Sequence, residues 1–215
     1  MTFPPHRIPA LIPKIFPQLL WRMPANETTI YLTFDDGPVA GPTDFVLETL
    51  NSFQAKATFF CIGDNIRKFP EVFRKVAEAG HTIGNHTFNH LKGWSTSLEE
   101  YVENVRLCDQ QLSIVNCQLT NLFRPPFGQI TPKQIKALSE YRVVMWDVLS
   151  LDYLDGGSKE KYLQGTLRAA RPGSIVVFHD SFNAEKKLQY ILPPFLDHFS
   201  SLGYRFKSLS PAIPG

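Results

Sequence analysis

Thr33-Phe34-Asp35-Asp36-Gly37-Pro38 is the stretch on which the reading of the fold turns. With Tyr31 and Leu32 before it, it is a short apolar run of strand-forming residues that Gly37 and Pro38 end sharply. A helix is expected next, at 43–53, where Phe45, Val46, Leu47 and Leu50 are apolar. The same pair of signals recurs down the chain. Further strands are expected at 57–62, 81–83, 122–123, 143–148, 174–178 and 204–209, and helices at 70–79, 97–115, 132–141, 158–170 and 185–202. The helix at 70–79 opens on a proline and stops at Gly80. That at 97–115, read as the longest, opens with the capping-box pair Ser97 and Glu100 and carries Leu98, Val102, Val105, Cys108, Leu112 and Val115 as one apolar stripe. Seven strands alternating with helices need crossover connections and hence a parallel sheet. The fold class is α/β, with a deformed (β/α)7-type barrel as first choice and a doubly wound open sheet as second.

Working outward, 215 residues fit one domain better than two and bury enough surface to fold without a staple. Residues 1–28 read as an irregular, proline-rich N-terminal strap, and 29–215 as the domain. The strap is too apolar for a free tail, with Ile8, Leu11, Ile12, Ile15, Phe16, Leu19, Leu20 and Trp21. It is expected to pack on the domain, a membrane-surface contact being the other reading. Pro4, Pro5, Pro9, Pro13 and Pro17 interrupt any apolar core of a signal peptide, and no run is long enough for a transmembrane helix. Lys and Arg number 22 against 20 Asp and Glu, a net charge of +2 with no clustered basic face, which argues against nucleic acid as partner. Cys61, Cys108 and Cys117 are odd in number and not closely paired. A disulfide framework is not expected, and a reducing compartment is favoured.

The reactive residues fall where the strands end. Asp35 and Asp36 follow the first strand, His86 and His90 the third and Arg124 the fourth. Asp147 and Asp152 end or follow the fifth, and His179 and Asp180 end the sixth. Parallel β/α folds build their sites at the C-terminal ends of strands. Two adjacent carboxylates repel and call for a cation, although an Asp-Gly-Pro turn with solvated acids is the plainer reading of that motif alone. His86 and His90 share one face if the backbone between them is helical. With Asp36 they offer two nitrogens and an oxygen, an open three-ligand metal site, unless they are merely solvated or core histidines. Such ligands suit Zn²⁺, with Co²⁺, Mn²⁺, Ni²⁺ and Fe²⁺ also accommodated. Arg124 is held by Pro125 and Pro126, and His179 ends an apolar strand where partial desolvation tunes its pKa. Trp94, in a polar loop after His90, is read as a groove side chain, and Trp146 as core.

Five segments in one order carry a resemblance: TFDDGP with Asp35 and Asp36, HTFNH with His86 and His90, RPPFG with Arg124, WDVLSLDY, and VVFHDS with His179. Together they resemble the polysaccharide deacetylase family, the NodB homology domain or carbohydrate esterase family 4, over roughly residues 29–209. The resemblance implies a deformed β/α barrel and a metal-dependent hydrolase that removes acetyl groups from carbohydrate. N-deacetylation of a glycan containing N-acetylglucosamine, chitooligosaccharide or peptidoglycan, is the leading expectation. A xylan O-acetyl esterase and a catalytically silent sugar-binding domain are the alternatives. It implies Asp36, His86 and His90 as metal ligands, Asp35 as general base oriented by Arg124, and His179 as general acid tuned by Asp152, with Asp147 the less favoured tuner. Phe127, Tyr153 and Val177 stand at substrate-contacting positions, Phe127 through its backbone N–H. Departures from the common pattern at Leu149, Tyr153 and Val177 bear on substrate choice. Family members commonly act on envelope or extracellular glycans. Without a clear export signal, a cytoplasmic or envelope-associated location is expected, and a monomer is favoured.

Overall fold

Residues 29–35 are buried along their length apart from a half-covered Tyr31, and a strand covered on both faces belongs inside a parallel sheet. The computed structural model describes residues 5–114 and 120–210. Its elements run α1 (Leu11–Ile15), β1 (Thr29–Asp35), α2 (Pro42–Ser52), β2 (Thr58–Cys61), α3 (Gly63–Lys68), α4 (Pro70–Glu78), β3 (Thr82–Asn85), α5 (Leu98–Leu112), β4 (Leu122–Phe123), α6 (Pro132–Ala137), β5 (Arg142–Val143), β6 (Val148–Leu149), α7 (Lys159–Ala169), β7 (Ile175–His179), α8 (Glu185–Ser201) and β8 (Arg205–Lys207). The ladders of the sheet are all parallel, in the order β5-β4-β3-β2-β1-β7-β6. β8 pairs with Thr29–Tyr31 at the start of β1, and β2 with Thr33–Asp35 at its end, so β8 wedges into the opening between β1 and β2. The curled sheet with helices outside is the deformed (β/α)7-type barrel expected.

Side-chain alternation divides the interior in two. Phe34 is in register with Phe59 and Phe178, and its ring stacks on theirs at 5.1 and 5.8 Å. This outward row meets α8, where Phe195 packs edge-on against Phe178 at 5.5 Å. On the inward face, Phe60, Leu20, Val144, Ile175 and Leu209 form a separate cluster. A Cβ on Gly84, the register partner of Phe60, would lie 2.6 Å from that ring, so the inner aromatic fits only beside a glycine.

The structure corrects several expectations. The single strand at 143–148 is two, β5 and β6, because the Val144 and Met145 carbonyls turn to the Arg124 guanidinium (3.2 and 2.8 Å) instead of extending a ladder. Among the described residues the sheet therefore has eight strands. α3 was not anticipated: its six residues lack a hydrophobic period of their own and start directly after β2. α8, with Pro193 and Pro194 inside it, has 17 residues against 15 in α5 and is the longer helix. Ser97 accepts the Glu100 amide at 3.3 Å, one of the two bonds of the expected capping box, but the buried face of α5 centres on Tyr101, Asn104, Val105, Cys108 and Leu112 rather than on Leu98 and Val102. Val115 and Cys117 lie outside the described residues.

The strap packs along the seam of the barrel. β5 and β6, the ends of the sheet, do not pair with each other. On one side Leu20 donates to the Val143 carbonyl (2.9 Å) and accepts from the Met145 amide (2.7 Å). On the other, Ile8 donates to the Asp147 carbonyl (3.0 Å) and the Leu149 amide donates to His6 (2.8 Å). Asp147 secures this closure, accepting the Ser174 hydroxyl at 2.6 Å and lying 3.4 Å from Arg22 of the strap. Replacing Asp147 by Ala leaves those buried donors short of a partner. It is expected to lower unfolding stability by about 1–3 kcal/mol in urea titrations, and a variant as stable as wild type would show that the seam does not depend on it.

Candidate active site

The chain brings its reactive groups together by four strand ends. Asp35 closes β1 and is 4% exposed, and Arg124, one residue past β4, is fully buried. The Arg124 guanidinium reaches Asp35 Oδ1 at 2.7 Å and the Thr33 hydroxyl at 2.8 Å, and lies over the Phe60 ring at 4.2 Å. With the two carbonyls already named, Nε and both Nη nitrogens are each engaged, in four hydrogen bonds. Burial of a charge is tolerable only with such pairing. The Arg124 main chain serves the next group: its carbonyl accepts a hydrogen bond from His86 Nδ1 at 2.7 Å, which leaves Nε2 as the ring nitrogen that faces the site.

That nitrogen is turned toward Asp36. A φ of 79° at Asp36, in the left-handed region, turns its side chain away from that of Asp35. Asp36 Oδ1 lies 3.2 Å from His90 Nε2 and 3.6 Å from His86 Nε2, and the ligand atoms of the three residues all lie within 4.8 Å of one another. Tetrahedral bonds of about 2.0–2.1 Å to a shared ion would separate two such atoms by about 3.3 Å, so the donor set fits a divalent cation. Burial pushes the Asp36 pKa up, but hydrogen bonding with both imidazoles outweighs it and holds the carboxylate well below its usual range.

The two histidines do not converge as expected. The backbone between them is a loop, not a helix, with left-handed Thr87 (φ 64°) and His90 (φ 57°). Asn104 of α5 shapes it, accepting the Phe88 and Asn89 amides at 2.8 and 2.9 Å and donating to the Asn89 side chain at 2.9 Å. A buried polar residue on an otherwise apolar helix stripe was the signal for this role, and the sequence reading passed over it.

His179 ends β7 in register with Asp35. Its Nδ1 meets Asp152 Oδ1 at 2.8 Å, and its backbone N–H donates to Asp152 Oδ2 at 2.9 Å. Asp147 has no such contact with His179; it belongs to the seam. Burial lowers the His179 pKa, but the Asp152 charge and hydrogen bond, with Asp36 and Asp35 nearby, overcome that and raise it to about 9. The folded value exceeds the ordinary 6.5, so the ring keeps its proton through neutrality. The stability that the pair contributes is complete below about 6.5 and is lost as pH rises through about 9.

Asp35, Asp36, His86, His90 and His179 line one cavity of about 750 Å³. Phe127, Tyr153, Val177 and Leu149 line it too, with Tyr153 edge-on to His179 at 4.7 Å and Phe127 against His90 at 4.6 Å. Trp146 packs against the core as expected and also reaches the cavity. Trp94, expected in the groove, is 69% exposed on a short 3-10 turn and is not among the lining residues. Gly93 packs against the Gln129 carbonyl and sets the course of that turn. The unanticipated α3 supplies Asn65 and Lys68, and the loop after His179 supplies Phe182, which is 60% exposed. Asn65 also donates to the Asp36 carbonyl at 2.7 Å.

The polysaccharide deacetylase profile matches residues 22–146. A peptidoglycan-N-acetylglucosamine deacetylase of Bacillus cereus is 36% identical over 197 residues, covering 90% of this chain and 92% of its own. A chitooligosaccharide deacetylase of Azorhizobium caulinodans is 34% identical over 162 residues, covering 74% and 77%. The crystal structure of a peptidoglycan N-acetylglucosamine deacetylase bound to 4-naphthalen-1-yl-N-oxidanyl-benzamide superposes with a TM-score of 0.86 at 28% identity, covering 94% of this chain and 95% of that one.

Two measurements check the geometry. After loading with Zn²⁺ and desalting, the wild-type chain is expected to retain the ion and His86→Ala to lose it by elemental analysis; equal retention would remove His86 from the ligand set. By NMR, the His179 ring is expected to titrate near pH 9 in wild type and well below it in Asp152→Asn, where only the Asp36 and Asp35 charges still oppose burial. Identical titration curves would show that Asp152 does not tune the ring.

Proposed function

Because the chain belongs to the polysaccharide deacetylase family, we propose that it hydrolyses the N-acetyl group of N-acetylglucosamine units in a glycan such as peptidoglycan or chitooligosaccharide, using a divalent cation, Zn²⁺ foremost. The observation that carries this reading is the opposition of two differently prepared groups across one cavity: a carboxylate paired with a buried arginine, and an imidazole kept protonated by a buried aspartate.

Asp36, His86 and His90 would hold the cation, which when bound supplies Lewis acidity to the acetyl carbonyl. Asp35 is the general base. Arg124 occupies its Oδ1, fixes its orientation and leaves the other oxygen to take a proton from the attacking water. His179 is the general acid. Its Nδ1 is committed to Asp152, so Nε2 delivers the proton to the departing sugar nitrogen, and the ring is charged at neutral pH when that proton is needed. Leu149 and Val177 offer apolar surface to the acetyl methyl, and Tyr153, Phe127 and Trp146 offer rings to the sugar.

Acetate release from chitooligosaccharides, peptidoglycan fragments and acetylated xylan tests the reading. Release is expected from the first two. Release from xylan alone would replace it by an O-acetyl esterase, and release from none would leave a sugar-binding domain. Asp35→Asn is expected to lower kcat by about 10²–10⁴-fold; a variant as fast as wild type would show that another group is the base.

A further inference from the structure

Asp180 follows His179 and takes no part in the chemistry above, yet it is fully buried directly beneath the site. Its Oδ1 accepts the Gly37 backbone N–H at 3.2 Å, and its Oδ2 accepts the Thr43 hydroxyl at 2.6 Å. Thr43 in turn accepts the Val39 amide at 2.9 Å, and the Asp180 amide donates to the Asp35 carbonyl at 3.1 Å. Both ends of the turn that follows Asp35 and Asp36 are therefore tied to one side chain. The fit is close: a Cβ on Gly37 would stand 2.0 Å from Asp180 Oδ2. The carboxyl group occupies the space that any other residue at 37 would claim.

We propose that Asp180 is a positioning residue that clamps the Gly37–Thr43 turn and thereby sets the aim of Asp35 and Asp36 toward the imidazoles of the site. The consequence for turnover rests on the deacetylase reading; the consequence for cation affinity rests on the Asp36–His86–His90 geometry alone. Several arrangements could support an acid at a strand end. Here the clamp joins the end of β7, which carries His179, to the end of β1, which carries both aspartates. One side chain thus fixes the spacing between the two halves of the site. Asn65, which holds the Asp36 carbonyl from α3, secures the same turn from the other side.

The test compares Asp180→Ala, Asp180→Asn and Thr43→Val by circular dichroism, Zn²⁺ titration and acetate release. Partners that orient ligands typically change metal affinity or activity by about 10–100-fold. Asp180→Ala is accordingly expected to weaken Zn²⁺ binding and lower kcat within that range, with KM little changed. Asp180→Asn retains an acceptor for the Gly37 amide and is expected to recover most of both. A folded Asp180→Ala protein with Zn²⁺ affinity and kcat within twofold of wild type overturns the proposal. So does an Asn variant no better than Ala, since Asn restores the volume and the acceptor and the lost charge rather than the hydrogen bond would then be responsible. If Asp180→Ala does not fold, Thr43→Val decides: severalfold weaker Zn²⁺ binding supports the clamp, and unchanged binding refutes it. If wild-type protein releases no acetate from any substrate, the deacetylase reading fails while the Zn²⁺ titrations still judge Asp180.

Discussion

A single buried ion pair, Arg124 with Asp35, organises the molecule around the site. The guanidinium is wholly out of water, and its attraction to one carboxylate would not offset that desolvation alone. Three further hydrogen bonds go to the Thr33 hydroxyl and to two carbonyls of the 144–145 segment, with the Phe60 ring beneath. Each demand has a structural result. The carbonyls are withdrawn from the sheet and split β5 from β6; the ring needs Gly84 opposite it. The Arg124 carbonyl in turn sets the His86 tautomer. Fold and chemistry are here consequences of the same solvation requirement.

Around this pair the site separates its charges by environment. Asp35 faces a permanent cation, whereas Asp36, one residue on, faces two imidazoles because its left-handed backbone turns it away. His179 faces Asp152 and is driven to hold a proton. Neighbouring ionisable groups pushed in opposite directions form the arrangement that acid–base hydrolysis needs at neutral pH.

Much of this could be read from the chain because strand ends are marked locally. TFDDGP, RPPFG and VVFHDS each combine an apolar run with an abrupt polar or proline stop, and the parallel topology then brings those stops to one rim. What could not be read depends on contacts distant in sequence. The loop that joins His86 to His90 is shaped by Asn104 on another element, so a spacing of four suggested a helix that is absent. α3 is held by its neighbours rather than by its own pattern. Trp94 lies away from the cavity because a tertiary contact at Gly93 decides the course of its turn.

The strap has a bearing on how the chain can be cut. The family profile begins at residue 22, yet the backbone groups of His6, Ile8 and Leu20 are what satisfy both borders of the sheet. A fragment that began at residue 22 but was otherwise entire would carry two bare strand edges flanking an apolar slot left by Leu19 and Leu20. Such borders recruit strands from other molecules, so the penalty of trimming would fall on solubility, with the catalytic groups all still in place.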